Sequence, residues 1–198
     1  VYNSMDQLSK SIQVLKEARE LAGKSNNDYA FLTTTLNLND LHLRLGDFGP
    51  MKAYCEDALR LATKLEDNES IAIALRGLAL YYFNTGNEIE AEGYARRSLQ
   101  KSLAGNFKEH IGKAYSVLAE ISILKRDFKK NIFYSFKSDS IKNLLLNESV
   151  AQNIHTLEAK YQAEKREQEI KDLRLESDIK DLTIGKKQMV NYILGVTL

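Results

Sequence analysis

Apolar residues along this chain recur at steps of three and four. Leu75, Leu78, Ala79 and Tyr82 are one such run, and steps of that size put side chains on a single helical face. Short polar segments rich in Gly, Asn and Asp interrupt the runs at regular intervals. The pattern predicts helices over about Met5 to Ala22, Asp28 to Leu45, Pro50 to Lys64, Ser70 to Thr85, Glu88 to Leu103, Lys108 to Lys125 and Lys129 to Leu146. Gly23, Gly46, Gly86 and Gly105 fall where helices are expected to stop. The Asp or Asn of the Gly-Asp and Gly-Asn pairs is expected to cap the next helix. Pro50, the only proline, opens a helix, where its missing N–H costs nothing.

The helices repeat in pairs. Gly46-Asp47-Phe48, Gly86-Asn87 and Arg126-Asp127-Phe128 lie 40 residues apart, as do Tyr54, Tyr94 and Tyr134, and Ala58, Ser98 and Ser138. Ala79, Ala119 and Ala159 supply a small residue in the first helix of successive pairs. In this register Met5 to Ala22 is the second helix of a pair.

A small residue in helix A, a Gly-Asp-Phe turn and an aromatic and Ala-Leu pattern in helix B resemble the tetratricopeptide repeat family, over about residues 5 to 165. The sequence departs from the family in four places. The period is 40, against about 34 in the family. Asn39 stands at the small position, the helix-B tyrosines sit one residue early, and the terminal proline is absent. The resemblance implies an all-α fold, a right-handed α-α superhelix of helical hairpins, followed by a long C-terminal helix. Stacked hairpins bury a continuous core and leave a concave groove. Transferred by register, the groove-facing positions are Thr33, Asp40, Arg44, Arg76, Asn84, Lys113, Ser116 and Glu120. That set is polar and mixed in sign, which suits a peptide or protein segment.

After Asn147 the character changes, and the organisation reads as a repeat array over 1–147, a charged helix over 148–188 and a short apolar run over 189–198. Tyr161, Leu175, Leu182 and Met189 fall on a seven-residue series completed by Gln168, with Ile179 four after Leu175. Such a stripe is expected to pair with a second copy as a coiled-coil stalk and so form a homodimer. The apolar run, flanked by Lys186 and Lys187, is about half the length of a membrane span. It is expected to begin a transmembrane helix.

Repeats, stalk and incipient span, in that order, resemble the sensor half of bacterial membrane-bound histidine kinases and helix-turn-helix regulators. That resemblance implies a periplasmic ligand-binding sensor of an inner-membrane protein, relaying binding to an output domain outside the chain. A cytoplasmic interaction scaffold and a peptide-responsive transcription regulator are the alternatives.

A net charge of +1 lacks the basic excess of a nucleic-acid-binding surface, so no direct nucleic-acid contact is expected. Cys55 is alone and forms no internal disulfide. His42, His110 and His155 do not share a metal-binding spacing. His155 takes a helix-A packing position in the repeat register. No Gly-rich phosphate loop or nucleophile elbow occurs. No catalytic residue, cofactor or metal is therefore expected, and no enzymatic activity.

Overall fold

The computed structural model describes the backbone of residues 2–196 and the side chains of residues 7–189. Among the described residues there are seven helices and no strand: α1 (Tyr2–Lys24), α2 (Asp28–Leu45), α3 (Met51–Lys64), α4 (Asn68–Asn84), α5 (Glu88–Ala104), α6 (Lys108–Leu124) and α7 (Phe128–Val196). The chain divides into two units, one ending at Leu145 and one starting at Leu146, and α7 contributes to both.

The first unit is a ladder of turns repeated every 20 residues. Asn26, Gly46, Glu66, Gly86, Asn106 and Arg126 all have positive φ, between 51° and 80°. The residue after each returns its N–H to a carbonyl five positions back. Asn27 bonds Ala22, Asp47 bonds His42, Asp67 bonds Ala62, Asn87 bonds Tyr82, Phe107 bonds Ser102 and Asp127 bonds Ser122, all at 2.8–3.0 Å. This left-handed residue followed by a six-to-one bond is the Schellman way of ending a helix. At five of the six turns the same following residue starts the next helix; the exception is Asp47, expected to cap but followed by Phe48, Gly49 and the N-cap Pro50 before α3 begins. Asn27, Asp67, Asn87 and Asp127 accept from the N–H groups of Ala30, Ser70, Glu90 and Lys130.

Two of the four expected helix-ending glycines have this role, Gly46 and Gly86. Gly23 is the penultimate residue of α1, and Gly105 caps the end of α5 with φ −91°; the left-handed residues there are Asn26 and Asn106. Asparagine reaches that region because its short amide tolerates it. Gly105 instead leaves room for the Phe107 ring, which would stand 2.2 Å from a β-carbon at that position.

The core of this unit follows the same period. Leu38, Leu78 and Leu118 are at most 1% exposed, and burying each contributes roughly 2 kcal/mol. Ala58, Ala62, Ala74, Ala91 and Ala95 are fully covered where helices approach closely. The His42 ring stands 5.6 Å from Tyr54, and the equivalent Tyr82 stacks at 5.5 Å on Tyr94.

The second unit corrects the register beyond residue 146. Ala159 and His155 were expected at helix-A packing positions; both are exposed. The position of Leu38, Leu78 and Leu118 is taken there by Glu158, and that of Leu32, Ala72 and Gly112 by Gln152. A helix with charge and amide at these positions lacks the apolar stripe of the earlier first helices. The chain accordingly continues in α7 without a turn at 146–147.

Candidate functional site

One cleft in the first unit gathers charge from several helices. Its volume is about 370 Å³. Asp40 enters from α2, Arg76 and Leu80 from α4, and Glu109, Lys113, Ser116 and Glu120 from α6. The first part of α7 closes one side with Ile141, Lys142 and Leu145. The cleft exists because α2, α4 and α6 are the first helices of successive pairs; α2 packs on α4, and α4 on α6.

Arg76 is the electrostatic centre. Its Nε is buried without a hydrogen-bond partner. Burial pulls its pKa down, and the Asp40 carboxylate opposes that shift. A guanidinium keeps its charge in such a place and retains a planar fork of donors suited to a carboxylate. Around it the charges are partly quenched. Lys113 lies 2.5 Å from Glu109 and holds that carboxyl below its usual range. Glu120 is pushed up by burial, with Lys142 acting in the opposite sense. The Ser116 hydroxyl is within 3.0 Å of the Ser138 hydroxyl, which tethers α6 to α7.

Five of the eight expected groove residues line this cleft: Asp40, Arg76, Lys113, Ser116 and Glu120. The other three do not. Thr33 and Arg44 are exposed elsewhere on α2. Asn84 turns its amide back onto the Leu80 carbonyl at 2.7 Å in its own helix. Sequence reasoning missed the α7 wall. Ile141 and Leu145 are four residues apart and read as an ordinary apolar helix face. Nothing in their spacing says that this face closes a cleft.

In the second unit the expected stalk residues Tyr161, Leu175, Ile179, Leu182 and Met189 are all more than half exposed. Among the described residues no helix is long and apolar enough to cross a membrane. The expected start of a span at 189–198 lies, from residue 190 onward, outside the described side chains.

The histidines are dispersed. His42 is buried with Nδ1 2.9 Å from Asp47, and His110 bridges α6 to α4 through Glu69 at 3.0 Å. His155 stands exposed, 3.8 Å from Glu158. Among the described residues no three His, Cys, Asp or Glu side chains are placed to hold a metal. The Cys55 thiol is buried, donates to Asn39 Oδ1 at 3.0 Å, and has its pKa pushed up to about 12 by burial.

No family model matches the chain, and no curated protein matches it. Among solved structures it is similar to BtubC (BKLC) from P. vanneervenii, at 23% identity and TM-score 0.55, covering 69% of this chain and 56% of that one. It is also similar to the TPR domain of Arabidopsis FLU, at 24% identity and TM-score 0.50, covering 59% of this chain and 95% of that one. The chain thus spans just over half the length of BtubC. Both likenesses concern the fold, and the repeated hairpins are tetratricopeptide-like.

Proposed function

From a tetratricopeptide-like fold with a charged cleft, we propose that this chain is a protein-interaction module that holds a peptide segment of a partner. The observation that carries the reading is Arg76, a half-buried cation in the wall of a cleft that also offers Leu80, Ile141 and Leu145, with its Nε covered and without a partner. A carboxylate in the cleft pairs with the guanidinium charge, and an apolar side chain next to it fills the α7 side. Mixed charge around the rim, with Lys113 and Lys142 beside Asp40 and Glu120, suits a segment of mixed sequence. The test is to pan random short peptides displayed on phage against the whole chain, then assay the selected peptides on Leu145→Asp. Selected sequences should carry an acidic group beside an apolar residue and lose binding to the variant, with helix content by circular dichroism unchanged. Enrichment without acidic groups, or binding indifferent to the variant, would overturn the reading.

A second reading makes the module the input of a bacterial membrane-bound regulator, on the periplasmic side, with kinase or DNA-binding output elsewhere in the protein. The observation in its favour is that α7 supplies the cleft wall and continues as the same helix into the second unit. Ligand contact and stalk then share one element, as a relay requires. Fractionating cells that express the full-length gene product decides it. Recovery in the inner membrane, with the repeats open to external protease, supports the reading; recovery in the cytosol refutes it.

A further inference from the structure

In the second unit, helix α7 keeps an apolar stripe uncovered. Ile154, Leu157, Tyr161, Leu175, Leu182 and Met189 are each at least 52% exposed. They fall in two columns of a heptad pattern. One column runs Ile154, Tyr161, Gln168, Leu175, Leu182, Met189, and the other runs Val150, Leu157, Glu164, Lys171, Asp178, Gly185. Two shallow grooves lie on this seam, one among Ile154, Leu157, Tyr161 and Glu164, the other among Asp178, Leu182, Gly185 and Met189.

We infer that this stripe is covered by a second copy of the same helix running antiparallel. Charge decides the direction. In a parallel, in-register pair, each core residue meets its own copy. Glu164, Lys171 and Asp178 then each face a like charge inside the seam. At the flanks, residues five apart meet across the interface, which sets Lys160 against Lys165 and Glu167 against Asp172, two repulsive pairs against the single attractive pair of Asp181 with Lys186. Like charges so placed disfavour association.

The antiparallel arrangement removes every one of these conflicts in a single register. With Leu157 opposite Leu182 of the second copy, Val150 meets Met189 and Glu164 meets Leu175. Asp178 meets Tyr161, and Lys171 meets Gln168. The flanks become Glu167 with Arg174, Lys160 with Asp181, and Lys165 with Asp172, each occurring twice by symmetry. The two seam grooves also face one another, Ile154 lying over Gly185. Within the chain, Arg174, Lys165 and Asp181 take part in no ion pair among the described residues, so one charge of each proposed pair is free to meet a partner. Antiparallel pairing sends the two carboxyl ends in opposite directions. It therefore fits a two-headed scaffold and counts against two stalks entering one membrane side by side.

Charge reversal separates the two directions by sign. Sedimentation of the whole chain should show a dimer that Glu167→Lys weakens about tenfold, and that Arg174→Glu restores in the double variant. In a parallel pair Glu167→Lys relieves the clash with Asp172 and tightens the dimer; that result overturns the inference. A monomer at every concentration also overturns it. A second measurement uses single cysteines, since Cys55 is buried. Leu157→Cys mixed with Leu182→Cys should oxidise to a disulfide-linked mixed dimer, while neither cross-links alone; cross-linking of each variant with itself would mean the helices run parallel.

Discussion

The Ser98 hydroxyl donates to the Ala72 carbonyl at 2.7 Å, joining the second helix of one hairpin to the first. Forty residues on, Ser138 makes the same bond to Gly112 at 3.0 Å. In the preceding hairpin the position is Ala58, packed without a hydroxyl. The serines are therefore more than worn copies of an alanine: they use the same small volume and add a fixed hydrogen bond. Ser98→Ala should cost about 1 kcal/mol in urea unfolding. Ser98→Val should cost more, about 2 kcal/mol, because the added methyl groups have no space. A valine variant as stable as the alanine variant would mean that this contact is loose.

Gly77 compensates for the irregular Asn39. A β-carbon on Gly77 would lie 2.5 Å from Cys55 Sγ and 2.8 Å from Asn39 Nδ2. Gly77→Ala should destabilise by about 2 kcal/mol through overpacking. Restoring a small residue with Asn39→Ala should return part of that loss, so the two substitutions combine non-additively. Thermal melts of the two single variants and the double variant give the coupling. Strictly additive losses would mean that the amide and the glycine do not share the space.

Much of this fold is legible in the residues because one structural unit recurs. The residues of α2 were predicted from end to end, since its apolar spacing is regular and both of its turns carry Asn, Asp or Gly. The left-handed positions were legible only where they are glycine or lie in a Gly-Asp-like triplet. Glu66 carries no turn signature, yet its backbone is left-handed like the others. Asn39 reads as a defect in sequence because its compensation lies 38 residues away, at Gly77. In the cleft, the polar half was visible from helix-A register. The α7 wall was not, because helical spacing gives a face and leaves open what the face meets. Past residue 146 the register misled, because Ala159 kept the period after the apolar positions around it had become Gln152 and Glu158.

The left-handed residues make a paired prediction. Glu66 holds φ 57° between two pairs and Gly86 holds φ 80° within one, each followed by the same six-to-one bond. A β-carbon in that region costs about 1 kcal/mol. Glu66→Gly should raise stability by about that amount, and Gly86→Ala should lower it by about the same. Opposite signs in denaturant midpoints, with unchanged slopes, are the expected result. Equal signs would show that a factor other than backbone strain governs these turns.

Acid should loosen the contact of α5 with the end of α6 at Glu92. Its carboxylate is held by Lys125, the residue that caps the end of α6, and by Arg96 of its own helix at 2.6 Å, and both hydrogen bonds lower its pKa from 4.5. The folded chain thus favours the charged form more than the unfolded chain does. The associated stability is complete above about pH 4.5 and is lost as pH falls through the lowered folded-state value. Glu92→Gln should remove that part of the acid dependence and leave stability below the window unchanged. Parallel pH curves for the two proteins would show that the ion pair contributes nothing to folding.

Stability and binding should move in opposite directions at Arg76. The side chain is held in the cleft wall with Nε unpaired, and burial disfavours its charge. Such a group costs the folded chain free energy until a ligand brings a countercharge. Arg76→Gln keeps much of the volume and removes the charge. It should stabilise the unliganded chain by about 1 kcal/mol. It should also weaken an acidic peptide selected on the wild-type chain by about tenfold or more. Calorimetry of binding, alongside thermal unfolding of the free protein, measures both quantities. A variant that binds as well as wild type would remove the carboxylate from the proposed ligand. One that is less stable without ligand would show that Asp40 already provides the guanidinium with what it needs.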